Sequence, residues 1–468
     1  MANEALRIGT VATLAGDAGG RVVCGNPEAG VRAVSTDTRL IEPGDCFIAL
    51  RGENFDGHTF VSQAVQKGAG VVIVSEDIEL PPGASAAVIR VRDTLFALGE
   101  LARRRRARFD LPVIAVSGSN GKTSTKEMTA AILGRGRKVL KNTGNFNNLI
   151  GLPLTLMGLS GEHDAAVVEM GINVPGEMER LAQIGSATIA IITNIHSAHL
   201  EGLGSLEHIL EEKGKLWEAL DPDGIAVVNL DDPLLCRFAE RIKARKITFS
   251  TADAAADVSI GSRIAISEGK TSFRIHAGGL EIPVTLPVMG AHHARNALAA
   301  TAAALSAGAS AEEVGAGLAC LPPVGQRMRC VRLPDGSVLV DDTYNANPGS
   351  MIPALETVLS AGAGSPFAAV LGDMRELGPE SPRLHFEVGR AFGAAKPVCL
   401  IALGAMGREL LRGAQDAGLD ESLCFYAADH VEAADYVRRF VPAGSWILVK
   451  GSRGMTMEKV VGTLVSSF

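Results

Sequence analysis

Gly118-Ser119-Asn120-Gly121-Lys122-Thr123 brings two glycines, a lysine and a hydroxyl into a spacing that can cradle phosphate. The apolar run Val113-Ile114-Ala115-Val116 precedes it and a helix-like stretch, Ser124 to Leu133, follows, which sets the loop between strand and helix. Backbone N–H groups at such a helix start attract phosphate oxygens, and the glycines permit close approach. Lys122 would reach the terminal phosphates, and Thr123 would offer its hydroxyl to Mg²⁺. The full pattern asks for Gly or Ala where Val116 stands, so a Gly-rich turn with no nucleotide stays open.

Other candidate residues sit where apolar runs stop. Glu169 ends Ala165-Ala166-Val167-Val168, and a carboxylate there could hold Mg²⁺, although a solvated strand-end acid would look the same. His196 and His199 follow the run that stops at Asn194, a pair that could serve a metal. Lys213 falls on the apolar stripe of Leu206, Ile209, Leu210, Leu216, Trp217 and Leu220, with Ser205 as N-cap. Its stem could snorkel along apolar surface, or its amine could be desolvated and left neutral enough to react. Met289 to Leu298 opens an Ala-rich helix with polar residues in its first turns, suited to a base or ribose, although ordinary helix capping would look the same. The run Asp341-Asp342-Thr343-Tyr344-Asn345-Ala346-Asn347-Pro348 is too polar for a plain turn and reads as a ligand site.

The elements that must position these residues form three segments. Residues 1–110 alternate short apolar runs with a helix-like stretch from Phe60 to Lys67, a small α/β unit. Residues 111–323 repeat apolar strands ending in polar residues between helices, the pattern of a parallel sheet covered on both faces. Residues 324–468 continue it at Val338-Leu339-Val340, Ala368-Ala369-Val370-Leu371 and Trp446-Ile447-Leu448-Val449, a second doubly wound unit. Ligands gather beyond the carboxyl ends of such strands, which places the site between the second and third segments.

Composition narrows the class. A net charge of −7 with 4% aromatics gives no basic, aromatic field for nucleic acid. Arg103 to Arg106 reads as a solvated helix end. Seven scattered cysteines without a C-x-x-C pair fit free thiols in a reducing compartment. No apolar run reaches membrane-spanning length, so a cytoplasmic protein with no membrane insertion is expected.

Taken in order, these motifs resemble the Mur ligases of peptidoglycan synthesis, over nearly the whole chain. Ser35-Thr36-Asp37-Thr38-Arg39 and Gly52-Glu53-Asn54-Phe55-Asp56-Gly57-His58 resemble the UDP-binding first domain of the late-acting members. Thr143 to Pro153, with Asn145, Asn147 and Asn148, resembles the substrate loop. The Asp342 to Pro348 run, with Tyr344, Asn345 and Asn347, and Leu371-Gly372-Asp373-Met374-Arg375-Glu376-Leu377-Gly378 resemble the member that adds D-alanyl-D-alanine to UDP-N-acetylmuramoyl-tripeptide. The Asp-Asn-Pro-Arg motif of the ligase adding the third residue is missing.

The resemblance implies an α/β fold in three domains: a small UDP-binding domain, a central P-loop ATPase sheet with flanking helices, and a C-terminal Rossmann-like domain. It implies ATP and Mg²⁺, an acyl-phosphate intermediate, and a monomer. Gly118 to Ser124 would hold ATP with Asn296, Arg327 and Asp342, while Thr123, Glu169, His199 and a carbamylated Lys213 would serve the metal. Lys122, Glu169, His199 and Lys213 would carry catalysis. Three positions depart from the family's usual residues: His293 for Asn, Lys215 for an acid and Gly349 for Asp. Two competing readings are the ligase that adds the third residue and a nucleotide-dependent switch that forms no bond.

Overall fold

Alternation along single strands shows how the chain is layered. In β6 (Val113–Ser117), Val113 and Ala115 join one apolar core while Ile114 and Val116 join another, so the strand is buried on both faces. A computed structural model of the chain describes residues 8–52, 55–197, 200–322 and 325–466. Asn54 and His199, two of the expected site residues, lie outside the described residues, as does the expected boundary at 323/324.

The first sheet is built from β1 (Arg21–Cys24), β2 (Val34–Ser35), β3 (Cys46–Ile48), β4 (Val71–Val74) and β5 (Ala87–Arg90) in the order β1-β5-β4-β3-β2. All its pairs are parallel except β1 with β5. Helix α1 (Thr94–Arg106), capped by Asp93, carries the chain onward. Its basic end is not a solvated run. Arg105 donates to Leu159 O at 2.5 Å, and Arg106, 7% exposed, donates to Phe109 O at 2.7 Å and Ser186 O at 3.2 Å. The Leu159 and Ser186 carbonyls belong to the next segment, so the arginines tie the two segments together. The pattern of charges alone does not carry that information.

After β6 the central sheet takes α2 (Lys122–Leu133), β7 (Val139–Lys141), α3 (Gly151–Met157), β8 (Ala165–Glu169), α4 (Glu177–Gly185) and β9 (Ile189–Ile192). It continues with α5 (Leu206–Glu218), β10 (Ile225–Asn229), β11 (Arg245–Ser250), β12 (Val258–Ile260), β13 (Ala265–Ser267), β14 (Lys270–Ala277) and β15 (Leu280–Leu286). The order is β13-β14-β12-β11-β10-β9-β6-β8-β7, with β15 added to β14. The stretch from β7 to β12 is parallel, and β13 to β15 extend it antiparallel. That extension departs from the uniform parallel sheet expected of the segment, and β14 shows the alternating burial of a strand with one wet face. Helix α6 (Ala291–Ser306) packs its alanines onto the second core.

The third sheet contains β16 (Arg329–Arg332), β17 (Val338–Asp342), β18 (Phe367–Gly372), β19 (Cys399–Leu403), β20 (Cys424–Ala427) and β21 (Trp446–Lys450), ordered β16-β17-β21-β18-β19-β20. Only the edge pair β16–β17 is antiparallel among the described residues. Helix α7 (Pro348–Ala361) starts directly after the polar run that leaves β17. All seven cysteines are free thiols. Among the described residues no helix is long and apolar enough to cross a membrane.

Candidate functional site at the ends of two parallel sheets

The loop after β6 needs both of its glycines. Gly118 and Gly121 hold φ of 132° and 82°, where side chains are strained. A Cβ at Gly118 would run into Thr193 Oγ1, and one at Gly121 into Asn296 Oδ1. The loop is then pinned from β9's end: Ser119 N donates to Asn194 O at 2.9 Å, and Asn120 N donates to Asn194 Oδ1 at 2.9 Å. Thr193 Oγ1 donates to Asn120 O at 2.5 Å, and Ser119 Oγ exchanges hydrogen bonds with the His196 backbone. Asn194 is therefore a scaffold for the loop.

Lys122 opens α2 and folds its ammonium over the loop, donating to Gly118 O at 2.8 Å and Ser119 O at 3.1 Å. Burial lowers its pKa, opposed by the charges of Glu169 and Glu376 and assisted by Arg327. Ser124 is buried in the first turn of α2.

Glu169, the last residue of β8, is 4% exposed. Its Oε1 accepts from Asn147 Nδ2 at 2.7 Å, and its Oε2 has no hydrogen-bond partner among the described residues. Asn147 thus reaches the carboxylate, while Asn148 caps α3 through Gly151 N at 2.9 Å and Asn145 is exposed on the same loop. Two residues that sequence reasoning passed over also converge here. Asn142 grips the Glu169 peptide, and the buried Lys126 grips Asn142.

Lys213 sits mid-helix in α5, with Ser205 as the N-cap accepting from His208 N. It is fully buried and its Nζ has no hydrogen-bond partner among the described residues. Desolvation drives its pKa well below the ordinary lysine value, Lys122 pushes it further down, and Glu169 and Glu212 pull it up. The snorkelling alternative is excluded by that burial. Neighbouring Glu212 accepts from Gly176 N at 2.7 Å at the start of α4 and from Lys215 Nζ at 2.6 Å, which gives Lys215 a structural partner.

The third segment closes the site from the other side. Arg327 Nη2 donates to Thr123 Oγ1 at 3.1 Å, with its guanidinium 4.0 Å from the Tyr344 ring centroid. Asp342 is held by Lys450 Nζ at 2.6 Å, which also donates to Asn345 O at 2.9 Å. Lys450 was legible only as a strand end. Asn345 Oδ1 accepts from Arg453 N at 3.3 Å, and Asn347 pairs with Asn120. A Cβ at Gly349 would lie 2.8 Å from His196 Cγ, so the glycine makes room for that ring.

The first-segment residues lie on a separate turn. Asp37 N donates to Ser35 Oγ at 3.1 Å across Thr36, and Arg39 holds the Asp37 carboxylate at 2.7 Å, lowering its pKa to about 2. Asp56, His58 and Glu76 also gather there, but Arg51 bridges the two acids and His58 Nε2 accepts from Ser75 N, a structural arrangement.

This arrangement can hold a nucleotide by its phosphates and bring hard oxygen ligands and cations around the transferring group. Comparisons with known proteins identify relatives of the whole chain. Three family models cover the chain: "Mur ligase family, catalytic domain" over 30–106, "Mur ligase middle domain" over 116–304 and "Mur ligase, glutamate ligase domain" over 326–453. A UDP-N-acetylmuramoyl-tripeptide–D-alanyl-D-alanine ligase of Escherichia coli is 38% identical over 92% of this chain and 93% of its own length. A crystal structure of MurF from Acinetobacter baumannii is 33% identical with TM-score 0.90, covering 99% of this chain and 100% of that one. A MurF ligase from Thermotoga maritima in complex with ADP is 26% identical with TM-score 0.83, covering 93% and 97%.

Proposed function

The chain belongs to the Mur ligase family, and on that premise we propose that it joins D-alanyl-D-alanine to UDP-N-acetylmuramoyl-tripeptide with ATP, in peptidoglycan precursor synthesis. The observation that carries the reading is the meeting of Lys122, Glu169 and the buried, unpartnered Lys213 at one sheet end, with Arg327 from the third segment on Thr123.

Residues 1–110 take the UDP portion through Ser35, Thr36, Asp37, Arg39 and Asn54, residues 111–323 take ATP, and residues 324–468 take the dipeptide. Asn145, Asn147 and Asn148 lie along the tripeptide's path, and Tyr344, Asn345 and Asn347 along the dipeptide's. Asn296 and Asp342 meet the adenosine. The enzyme works as a monomer in the cytoplasm.

A carboxylate is a poor electrophile, so the substrate carboxylate oxygen first attacks the γ-phosphorus, giving an acyl phosphate and ADP. The dipeptide amine then attacks the acyl carbon, and the tetrahedral intermediate expels phosphate as the amide forms. Lys122 and the loop N–H groups hold and neutralise the phosphates, and alignment supplies most of the acceleration. The donor set fits Mg²⁺: Glu169 offers a buried oxygen without a partner, and Thr123 a hydroxyl. Bound by these residues with His199, Mg²⁺ would offset charge on the phosphates. Lys213 fits carbamylation, because burial favours the neutral amine that CO₂ requires, and the carbamate would add an oxygen ligand.

The test is ADP and phosphate release with substrates omitted in turn. Release that needs both UDP-linked tripeptide and D-alanyl-D-alanine is expected. Activity with a single free amino acid in place of the dipeptide would point to the ligase adding the third residue, and slow release indifferent to both substrates to a nucleotide switch.

A further inference from the structure

Glu169 stands one step past the end of a ladder. The parallel pairing of β7 with β8 stops at Lys141 opposite Val167, so the Glu169 peptide has no strand neighbour on that side. Asn142, the next residue after β7, supplies one from its side chain. Its Oδ1 accepts from Glu169 N at 2.9 Å and its Nδ2 donates to Glu169 O at 3.0 Å. The other Nδ2 hydrogen goes to Phe146 O at 2.8 Å, on the loop whose Asn147 holds the Glu169 carboxylate. On the side away from β6, both hydrogen bonds of the Glu169 peptide and the one bond of its carboxylate therefore pass through residues 142–147.

Asn142 is itself held by a charge. Lys126 Nζ donates to Asn142 O at 2.6 Å and pairs with Glu127 Oε1 at 2.9 Å, and Glu127 is in turn bound by Lys141. Lys126 is 1% exposed, and an ammonium is kept at such a position only when its hydrogen bonds are met. It lies one turn after Lys122 on α2, on the same helical face. The helix that presents the phosphate-binding lysine is thereby linked, through Lys126 and then Asn142, to the carboxylate on the neighbouring strand.

We propose that Lys126 and Asn142 are positioning residues that set Glu169 against the phosphate loop and so tune the affinity of the nucleotide site for its divalent cation. The inference rests on the reading of Glu169 as a Mg²⁺ ligand. Neither residue meets substrate; they act through the Glu169 backbone and through the loop that carries Asn147. Groups that orient a metal ligand in this way commonly change metal affinity by about 10- to 100-fold when removed.

The experiment is calorimetric titration of ADP into the full-length protein at a series of Mg²⁺ concentrations, for wild type, Asn142→Ala and Lys126→Met. Thermal unfolding first shows which variants are folded, and Asn142→Asp, nearly isosteric but lacking both donors, replaces any that is not. The expected result is an Mg²⁺ midpoint raised by about tenfold or more, with ADP affinity in the absence of Mg²⁺ unchanged. In a Glu169→Gln background, Asn142→Ala should add no further shift. A loss of thermal stability with an unmoved Mg²⁺ midpoint would overturn the inference, as would a shift that persists in full without the Glu169 carboxylate. Wild-type ADP binding that ignores Mg²⁺ would remove the Mg²⁺ reading of the site and the inference with it.

Discussion

The side-chain amides of Asn120 and Asn347 exchange both of their hydrogen bonds, at 3.1 and 2.8 Å, across the seam between the phosphate loop and the start of α7. Each is otherwise anchored in its own segment: Asn120 N on Asn194, and Asn347 N on Ser350 Oγ at 3.0 Å. The pair therefore couples the phosphate loop to the third segment. Removing one partner leaves the other amide unmatched in a partly buried seam, a cost of about 1–3 kcal/mol. Asn347→Ala is expected to lower kcat/KM for the dipeptide by about tenfold while ADP affinity moves by less than about twofold. Steady-state kinetics beside calorimetry check this. Equal losses in both measurements would show that the contact only holds the loop together.

On the proposed function Lys122 meets phosphate: among the described residues, the hydrogen bonds of its ammonium go to two carbonyls of the loop. Lys122→Ala should cut turnover by at least about 10³-fold, because charge on the transferring group would go unmatched. Thermal unfolding should change little in comparison. A fully active variant would remove the phosphate-loop assignment.

Lys213 gives two readouts of opposite sign. In the native state burial holds its pKa well below 10.5, the ordinary value that applies in the unfolded chain. Between those two values the unfolded chain binds more protons, so this group's contribution to stability rises with pH and is lost as pH falls toward the native pKa. Lys213→Met should therefore raise the Tm near neutral pH in CO₂-depleted buffer, and the advantage should shrink as pH approaches 10.5. Lys213→Ala should be nearly inactive yet partly rescued by short carboxylates that enter the space of the carbamate. Full activity without any rescue effect would discard carbamylation.

Strand ends were legible because apolar runs that stop abruptly at Ser117, Glu169, Asn194 and Asp342 mark the carboxyl edge of parallel sheets, where ligands collect. Lys213 was legible as a misplaced charge on an apolar stripe. Asn142 was not, because its partner is 27 residues away on a neighbouring strand and the bond depends on where the ladder stops. Lys126 reads from sequence as one of two lysines near a helix start, and only the fold buries it, with its ammonium on the Asn142 carbonyl and Glu127. Asn347 and Asn120, 227 residues apart, meet through the juxtaposition of two sheets that no local pattern encodes.

The histidines that open α6 supply a pH signature. The rings of His292 and His293 lie 4.2 Å apart, and Nδ1 of His292 and both nitrogens of His293 lack a hydrogen-bond partner among the described residues. Burial pushes His292 down to about 4 and His293 well below its ordinary value. Asp342 opposes the shift at His292, whereas Lys450 and Arg295 add to it; His292 and Arg327 press on His293. Both rings are thus neutral in the native protein while the unfolded chain takes up protons below about 6.5. Stability should therefore be lost as pH falls through that range toward 4, the more so because two groups titrate together. His293→Asn removes one of them. The expected outcome is a smaller drop in Tm between pH 7 and pH 5 for the variant than for the wild type. Parallel Tm curves for the two proteins would show that His293 titrates alike in the folded and unfolded states, and would set aside its burial as the cause of acid sensitivity.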